Sequence, residues 1–558
     1  MPRVTTNAHT GARALQNGHS VYRAAPKQRA VALVLATGIG VSVAGASVQA
    51  RESFLAPVLS SGHEGEWLFV EGSWQMSDGA IVQQNTSRSA SAILRDPAFS
   101  DFRLSVEFFI RPEGMGVRAA AILFRATGTL TYYWLHLDSK NGNAILVRST
   151  PADRWIEIGR RPVGISAGVW HRAEVACLGS RITVRLDGQQ VLDFRDDALS
   201  AGRIGLGISE GRVEFRNLRV RGRVVSMAPL KEETPPYKII SRGQAAGPYQ
   251  AFPDACRLHN GDIICVFYAG YGHVSMPTPE WPQGGRICFV RSSDEGRTWT
   301  QPAILYDDEL DNRDPHIAQL SDGTLVCTFF SLAPAESGYS LVGTQMVCSR
   351  DNGRTWERQA TIIAPGWGCS APVRELADGT CLLGVYYEPP GGQVAWGGVV
   401  RSTDGGKTWS HPVPIGDKAG LYLDAETDII QLRDGTLFAA LRSSRINMHY
   451  ATSHDGGLTW SDVRDIGFPG HCPHLNRLST GEILLAVRLP ETALYVSRDE
   501  ARTWQGPYIL DHVIGAYPAT VELRDGSVLA VYYEEGEGSA IRALRFRVTM
   551  GGIEFLPW

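Results

Sequence analysis

Two sets of residues share equivalent places in an internal repeat of this chain. Nine residues before a recurring turn glycine stand Phe252, Asp314, Ser370, Glu426, Cys472 and Tyr517, and seven residues after it stand Tyr268, Phe330, Tyr386, Arg442, Arg488 and Tyr533. The polar members of such a ring can do chemistry together. A phenol with a pKa of about 10 is inert near neutral pH. A carboxylate that takes its proton turns it into an oxygen nucleophile, and the ring holds both a carboxylate, Glu426, and a phenol, Tyr517, in identical register. Arg442 and Arg488 offer two guanidinium groups, which hold a carboxylate by paired hydrogen bonds that lysine cannot copy. The second copy opens with NRDPHI, adding Arg313, Asp314 and His316, and the loop AGYGHVSMPTPEWPQGG adds His273. Histidine suits proton transfer near neutral pH, and His471 and His474 flank the fifth copy. The plainer alternatives are a solvated glutamate, a packing tyrosine, arginines paired with neighbouring acids and hydrogen-bonded loop histidines.

These residues depend on the elements that carry them. The six copies run RLHNGDIICVF from Arg257, QLSDGTLVCTFF from Gln319, ELADGTCLLGVYY from Glu375, QLRDGTLFAALR from Gln431, RLSTGEILLAVR from Arg477 and ELRDGSVLAVYY from Glu522. Each reads as an apolar strand, a tight turn and a second buried strand. Interleaved with them, a second motif occurs five times: SSDEGRTW at Ser292, SRDNGRTW at Ser349, STDGGKTW at Ser402, SHDGGLTW at Ser453 and the degenerate SRDEARTW at Ser497, with Ala501 in place of glycine. Six units of about 45 to 60 residues, four strands each, predict a six-bladed β-propeller over residues 237–558. A β-sandwich or solenoid does not explain two repeats in fixed phase. Because the hairpin folds back on itself, both residue sets lie at the end opposite its turn, and an inner hairpin places them in one ring around the axis.

The remainder is also all-β. Between residues 52 and 222, alternating runs such as FRLSVEFFI, YYWLHLD and RITVRLDGQQVLDF predict an antiparallel sandwich. Tyr132, Tyr133, Trp134 and Trp155 are either sugar-stacking platforms or core aromatics. Residues 223–236, containing the Pro- and charge-rich start of LKEETPPYK, read as a linker. Residues 1–50 hold no acidic residue, several basic ones and an uncharged stretch from Ala30 to Ala50 ending in Val48-Gln49-Ala50, which is the pattern of a cleaved signal peptide. An uncleaved anchor is the alternative, and only in that case would the chain contact a membrane. Export to the periplasm, cell surface or medium is therefore expected. A net charge of -4 with 20% charged residues gives no electrostatic case for nucleic acid. The nine cysteines form no C-x-x-C pair and read mainly as buried thiols, and no metal-ligand spacing is present.

The S-x-D-x-G-x-T-W turns resemble the Asp boxes, or BNR repeats, of the sialidase (neuraminidase) superfamily, whose boxes are structural. The order WHRAEVACLGSRITVRLDGQQVLDF then GRIGLGISEGRVEFRNLRVRG resembles the concanavalin-like jelly-roll modules attached to many carbohydrate-active enzymes. The resemblance implies an exported exo-alpha-sialidase-like glycoside hydrolase acting on a glycan or glycoconjugate without cofactor or metal. It implies Tyr517 as nucleophile, Glu426 as its base, and Arg442 and Arg488 as holders of a substrate carboxylate. A neutral phenol suits a sugar bearing a carboxylate at its anomeric carbon, since a carboxylate nucleophile would meet like charge. The family's first arginine and its acid depart from the pattern. YQAFPDACRL places Ala251 where the arginine would be, and the following loop has no aspartate. Arg313, with His316 beside it, is then expected to replace the arginine, and Asp314 or His273 to supply the acid. Another acidic sugar, elimination chemistry, a non-catalytic glycan-binding propeller and a propeller for protein contacts are the competing readings.

Overall fold

The turn chemistry of the repeat fixes the propeller. Gly261, Gly323, Gly379, Gly435, Gly481 and Gly526 all have positive φ, from 73 to 108°, a region that disfavours side chains with a Cβ. In every copy the glycine N–H donates to the carbonyl of a leucine three residues earlier, from Leu258 in the first to Leu523 in the last. The turn therefore joins two strands in register six times.

The computed structural model describes residues 52–558 apart from positions 58, 78, 85–88, 114–117, 152, 210, 244, 337, 390–392, 490, 514 and 536–538. The expected signal peptide at residues 1–50 lies outside the described residues. Apart from one short 3-10 turn at Glu64–Glu66, the regular elements are strands.

Six antiparallel sheets form the six blades. The first runs Tyr249–Arg257, Ile263–Gly270, Arg286–Ser292 and Ala303–Tyr306 in order. The first strands of neighbouring blades contact one another around most of the ring and so line the axis. The sixth blade takes Gly515–Glu522, Val528–Glu534 and Ala540–Thr549 from the end of the chain, and its fourth strand, Tyr237–Arg242, from the start of the propeller. This pairing closes the ring with a non-local contact. Each Asp box links the third and fourth strands of its blade. In the first, the Ser292 hydroxyl accepts the Gly296 N–H at 2.9 Å while Asp294 accepts the Thr298 N–H at 2.8 Å and hydroxyl at 2.6 Å. The degenerate fifth box keeps this geometry: Ala501 takes φ 61° and donates its N–H to Ser497 at 2.9 Å.

Preceding the propeller, an eight-stranded and a seven-stranded sheet pack face to face as a β-sandwich around a core that includes Phe102, Phe108, Phe124, Tyr133 and Leu135. The strand Tyr132–Asp138 shows how alternation sorts its residues. Tyr133, Leu135 and Leu137 enter that core, whereas Tyr132 and Trp134 join a second cluster on the opposite face of the sheet. The connecting segment is pinned rather than free. Glu233 accepts the Thr131 hydroxyl at 2.8 Å and the Leu130 N–H at 3.0 Å, and Gly128 and Lys231 form a parallel bridge. Gly128 allows this approach, because a Cβ there would collide with the Glu233 carboxylate. All nine cysteines are free thiols, seven of them buried.

Candidate active site

A bulge at the rim aims the ring residues. In the first, second and sixth blades the inner hairpin loses register between Ala251 and Asp254, Arg313 and His316, and Ala516 and Ala519. Two residues there oppose one on the partner strand, which bends the strand and re-aims a side chain. The first residue of each bulged pair is left-handed: Phe252 at φ 52°, Asp314 at 47° and Tyr517 at 44°, with Cys472 at 46° in the fifth blade. Each is followed by proline, at 253, 315, 518 and 473. Proline has no N–H to lose where the ladder is interrupted. In the fourth blade the left-handed residue is Ala425, at φ 45°, directly before Glu426.

Tyr517 and Glu426 meet. The Tyr517 hydroxyl donates to Glu426 Oε1 at 2.6 Å, and Glu426 is 3% exposed. Arg442 Nη1 donates to the same oxygen at 2.6 Å and to the Tyr517 hydroxyl at 3.2 Å, while its Nη2 lies 2.8 Å from Asp424. The second oxygen of Glu426 accepts the Cys472 N–H at 3.0 Å. Burial, and next the Glu426 charge, push the Tyr517 phenol well above its ordinary pKa, so it is protonated at neutral pH. Its proton has one short acceptor, and the phenolate left behind has a guanidinium beside it.

The other ring members form a partial frame. Arg488 stands 5.2 Å from the Tyr517 ring centroid and bonds His471 Nδ1 at 3.0 Å. Burial, then the charges of Arg442 and Arg488, lower His471 to about 4. It is thus neutral at pH 7 and accepts from Arg488 through Nδ1. Asp314 sits within electrostatic reach of Glu426 and Tyr517. Burial, opposed by Arg313 and reinforced by Glu426, raises its carboxyl to about 6. Ser370 donates to one Asp314 oxygen at 3.4 Å, and the other oxygen is buried without a protein partner.

Arg313 is held among aromatic rings, 5.3 Å from Phe252, 5.4 Å from Tyr268 and 5.8 Å from Phe330, with Asp311 3.5 Å away. Phe252 occupies the wall beside Tyr517, at a ring separation of 5.1 Å. His273 packs edge-on against the same Phe252 ring at 5.3 Å and bonds the Tyr249 hydroxyl at 3.0 Å. It makes no direct bond to Tyr517 or Glu426. Burial and Arg313 lower its pKa, so it is neutral at pH 7.

His316 does not join the rim, a correction to its expected place beside a substrate. Two residues farther along the strand than Asp314, it lies 3.3 Å from Asp254, which His474 approaches at 3.4 Å. Arg374 pairs with Asp428 at 2.5 Å on the same inner strands. These pairs form a second layer of the axis. Three signals in the sequence escaped the ring alignment: the proline after four of the rim residues, Asp424 as a partner for Arg442, and this second acidic and basic layer.

Residues 283–530 match the BNR repeat-like domain, and residues 60–221 match the 3-keto-alpha-glucoside-1,2-lyase-like domain. The chain is 25% identical over 230 residues to a sialidase of Paraclostridium sordellii, across 35% of this chain and 52% of that protein. It is 26% identical over 139 residues to an extracellular exo-alpha-L-arabinofuranosidase of Streptomyces chartreusis, across 25% of this chain and 16% of that one. The chain therefore spans about half of the first relative and less of the second. Among solved structures, a protein of unknown function from Dyadobacter fermentans aligns with a TM-score of 0.48 at 22% identity, covering 57% of this chain and 98% of the other. The NanB sialidase of Streptococcus pneumoniae aligns with a TM-score of 0.47 at 14% identity, covering 80% and 95%.

Proposed function

We propose that this chain, whose propeller is a BNR-repeat propeller of the sialidase superfamily, is an exported retaining glycoside hydrolase that releases a terminal acidic sugar. The observation that carries the reading is the 2.6 Å hydrogen bond from the Tyr517 hydroxyl to a buried carboxylate that Arg442 also holds. A module that only binds glycans has no need of a base on a phenol.

The chemistry then has four parts. Glu426 takes the Tyr517 proton as the phenol oxygen attacks the anomeric carbon, and Arg442 stabilises the developing negative charge. Asp314, protonated below about 6, gives its proton to the departing glycosidic oxygen as that bond breaks. Water then attacks the tyrosyl-linked sugar and yields its proton to the Asp314 carboxylate. The Tyr517 oxygen leaves and recovers its proton from Glu426. Inversion at each of two displacements gives net retention. Arg488, oriented by neutral His471, and Arg313 are the groups available to a substrate carboxylate. Ala251 stands where the family's first arginine would be, and the neighbouring Phe252 makes the wall beside Tyr517 apolar.

Release of free sugar from sialosides and other acidic glycosides, beside Tyr517→Phe and Glu426→Gln, tests this. Turnover with anomeric retention is expected, with each substitution lowering it at least about a thousandfold. No release from any substrate, or full activity in Tyr517→Phe, would sink the proposal.

A further inference from the structure

A sizeable cavity lies away from the rim. About 570 Å³ in volume, it lies between the outer face of the seven-stranded sheet and the sixth blade, and shares no residue with the rim site. Its size falls in the range of about 300 to 1,000 Å³ common for small-molecule sites. A strand at the face of a two-layer sandwich normally exposes alternate residues. Here every residue of Tyr132–Asp138 is buried, because the connecting segment and the propeller cover the outer face.

Two polar atoms on the floor of this cavity lack a protein partner. Trp134 is 8% exposed and His136 3% exposed, yet Trp134 Nε1 and His136 Nδ1 have no hydrogen-bond partner. Both residues lie on one strand face and line the cavity, where a ligand can supply the partners that the protein does not. The Trp155 ring stands nearly perpendicular to both, with centroids 5.3 Å from Trp134 and 5.1 Å from His136. Burial holds His136 neutral by lowering it to about 4. Several charged groups on the walls answer one another: Arg542 pairs with Glu534 at 2.5 Å and Asp511 at 2.9 Å, and His512 with Asp153 at 2.8 Å. What is left over is the Trp134 donor, the neutral His136 imidazole, the Trp155 face and, at one side, Arg154, which bonds only the Ser149 and Tyr132 hydroxyls.

The geometry points to a second binding site, built jointly by the sandwich and the sixth blade, for an uncharged pyranose of a glycan. Ring hydroxyls accept from Trp134 Nε1 and bond His136, and the C–H face of the sugar packs on Trp155. Although Arg154 is bonded only to the Ser149 and Tyr132 hydroxyls, the lining carries six carboxylates against four guanidinium groups, so the site discriminates against acidic sugars while the rim is proposed to accept them.

The test is a binding measurement on the full chain carrying Tyr517→Phe, by calorimetry and tryptophan fluorescence. The probes are the methyl pyranosides of glucose, galactose and mannose, with methyl glucuronide as the acidic counterpart. At least one neutral glycoside should bind with a change in fluorescence, methyl glucuronide should bind more weakly, and Trp155→Ala should lower affinity at least about tenfold. His136→Gln, which keeps a polar group and spares the fold should Trp155→Ala melt early, should also weaken binding. No neutral glycoside binding, affinity unchanged in both folded variants, or preference for the glucuronide would each overturn the inference. Because the readout is binding and not turnover, it stands or falls apart from the rim chemistry.

Discussion

At the scale of single residues, Asp314 carries the sharpest consequence. Its carboxyl, raised by burial to about 6, is protonated below that pH and ionised above it. If it is the acid, turnover of a glycoside with a poor leaving group falls as pH rises through about 6. Asp314→Asn should abolish that limb and lower the rate by about 100- to 10,000-fold on such substrates, while aryl glycosides with good leaving groups lose far less. An unchanged pH profile in the variant would remove Asp314 from the reaction. Stability gives an independent readout. Between its ordinary 3.8 and about 6, the folded state binds this proton more tightly than the unfolded state does, so stability falls with rising pH across that window. Asparagine removes the buried charge, and the variant should therefore melt higher than the parent above pH 6. Register placed Tyr517 and Glu426 in one ring, and the sialidase resemblance singled them out as a pair. The fate of Arg442 was not legible in this way, since its partner Asp424 lies two residues before Glu426 and outside the aligned positions.

At the scale of elements, the rim bulge and the Asp box each hold non-glycine residues in left-handed backbone. Four rim residues accept this strain where a side chain must be re-aimed, which is where strain commonly collects. Ala501 accepts it at φ 61° in a box with no such demand. The other boxes place glycine there, at φ 81° in Gly296 and 86° in Gly457. Ala501→Gly should stabilise the propeller by about 1 kcal/mol, seen as a higher midpoint in thermal unfolding. No rise would mean that unfolded-state entropy cancels the relief. The proline following the bulge explains why the rim could be found by counting from the turn glycine: one bulge in the first, second and sixth blades keeps these chains in step. The sequence reading of the tyrosines and tryptophans in YYWLHLD left core and sugar platform open, and alternation divides them, with Tyr133 inside and Trp134 on the outer face.

At the scale of the whole molecule, each domain holds a neutral histidine, His136 buried in the sandwich and His471 half-buried in the propeller, both lowered to about 4 from 6.5. Between those values the unfolded chain binds protons that the folded chain refuses, so stability is fully present above about 6.5 and is lost as pH falls toward 4. In the propeller, Asp307 and Asp314, both raised to about 6, act in the opposite sense over much of that window. The acid sensitivity is consequently expected most clearly in the sandwich, and His136→Gln should flatten the dependence of its melting temperature on pH between 7 and 4.5. An identical slope in parent and variant would contradict this. Across the chain, the repeats determined the blade number, the strand order within a blade and the register of Tyr517 and Glu426, because these follow from local periodicity and turn chemistry. Tertiary structure alone decided the rest: that Tyr237–Arg242 completes the last blade, that His316 belongs to Asp254 and not to the rim, that residues around Glu233 are pinned, and that a cavity with two unpaired polar groups opens beneath the sandwich. Each of these joins groups far apart along the chain, and no local pattern encodes which distant surface will cover a given side chain.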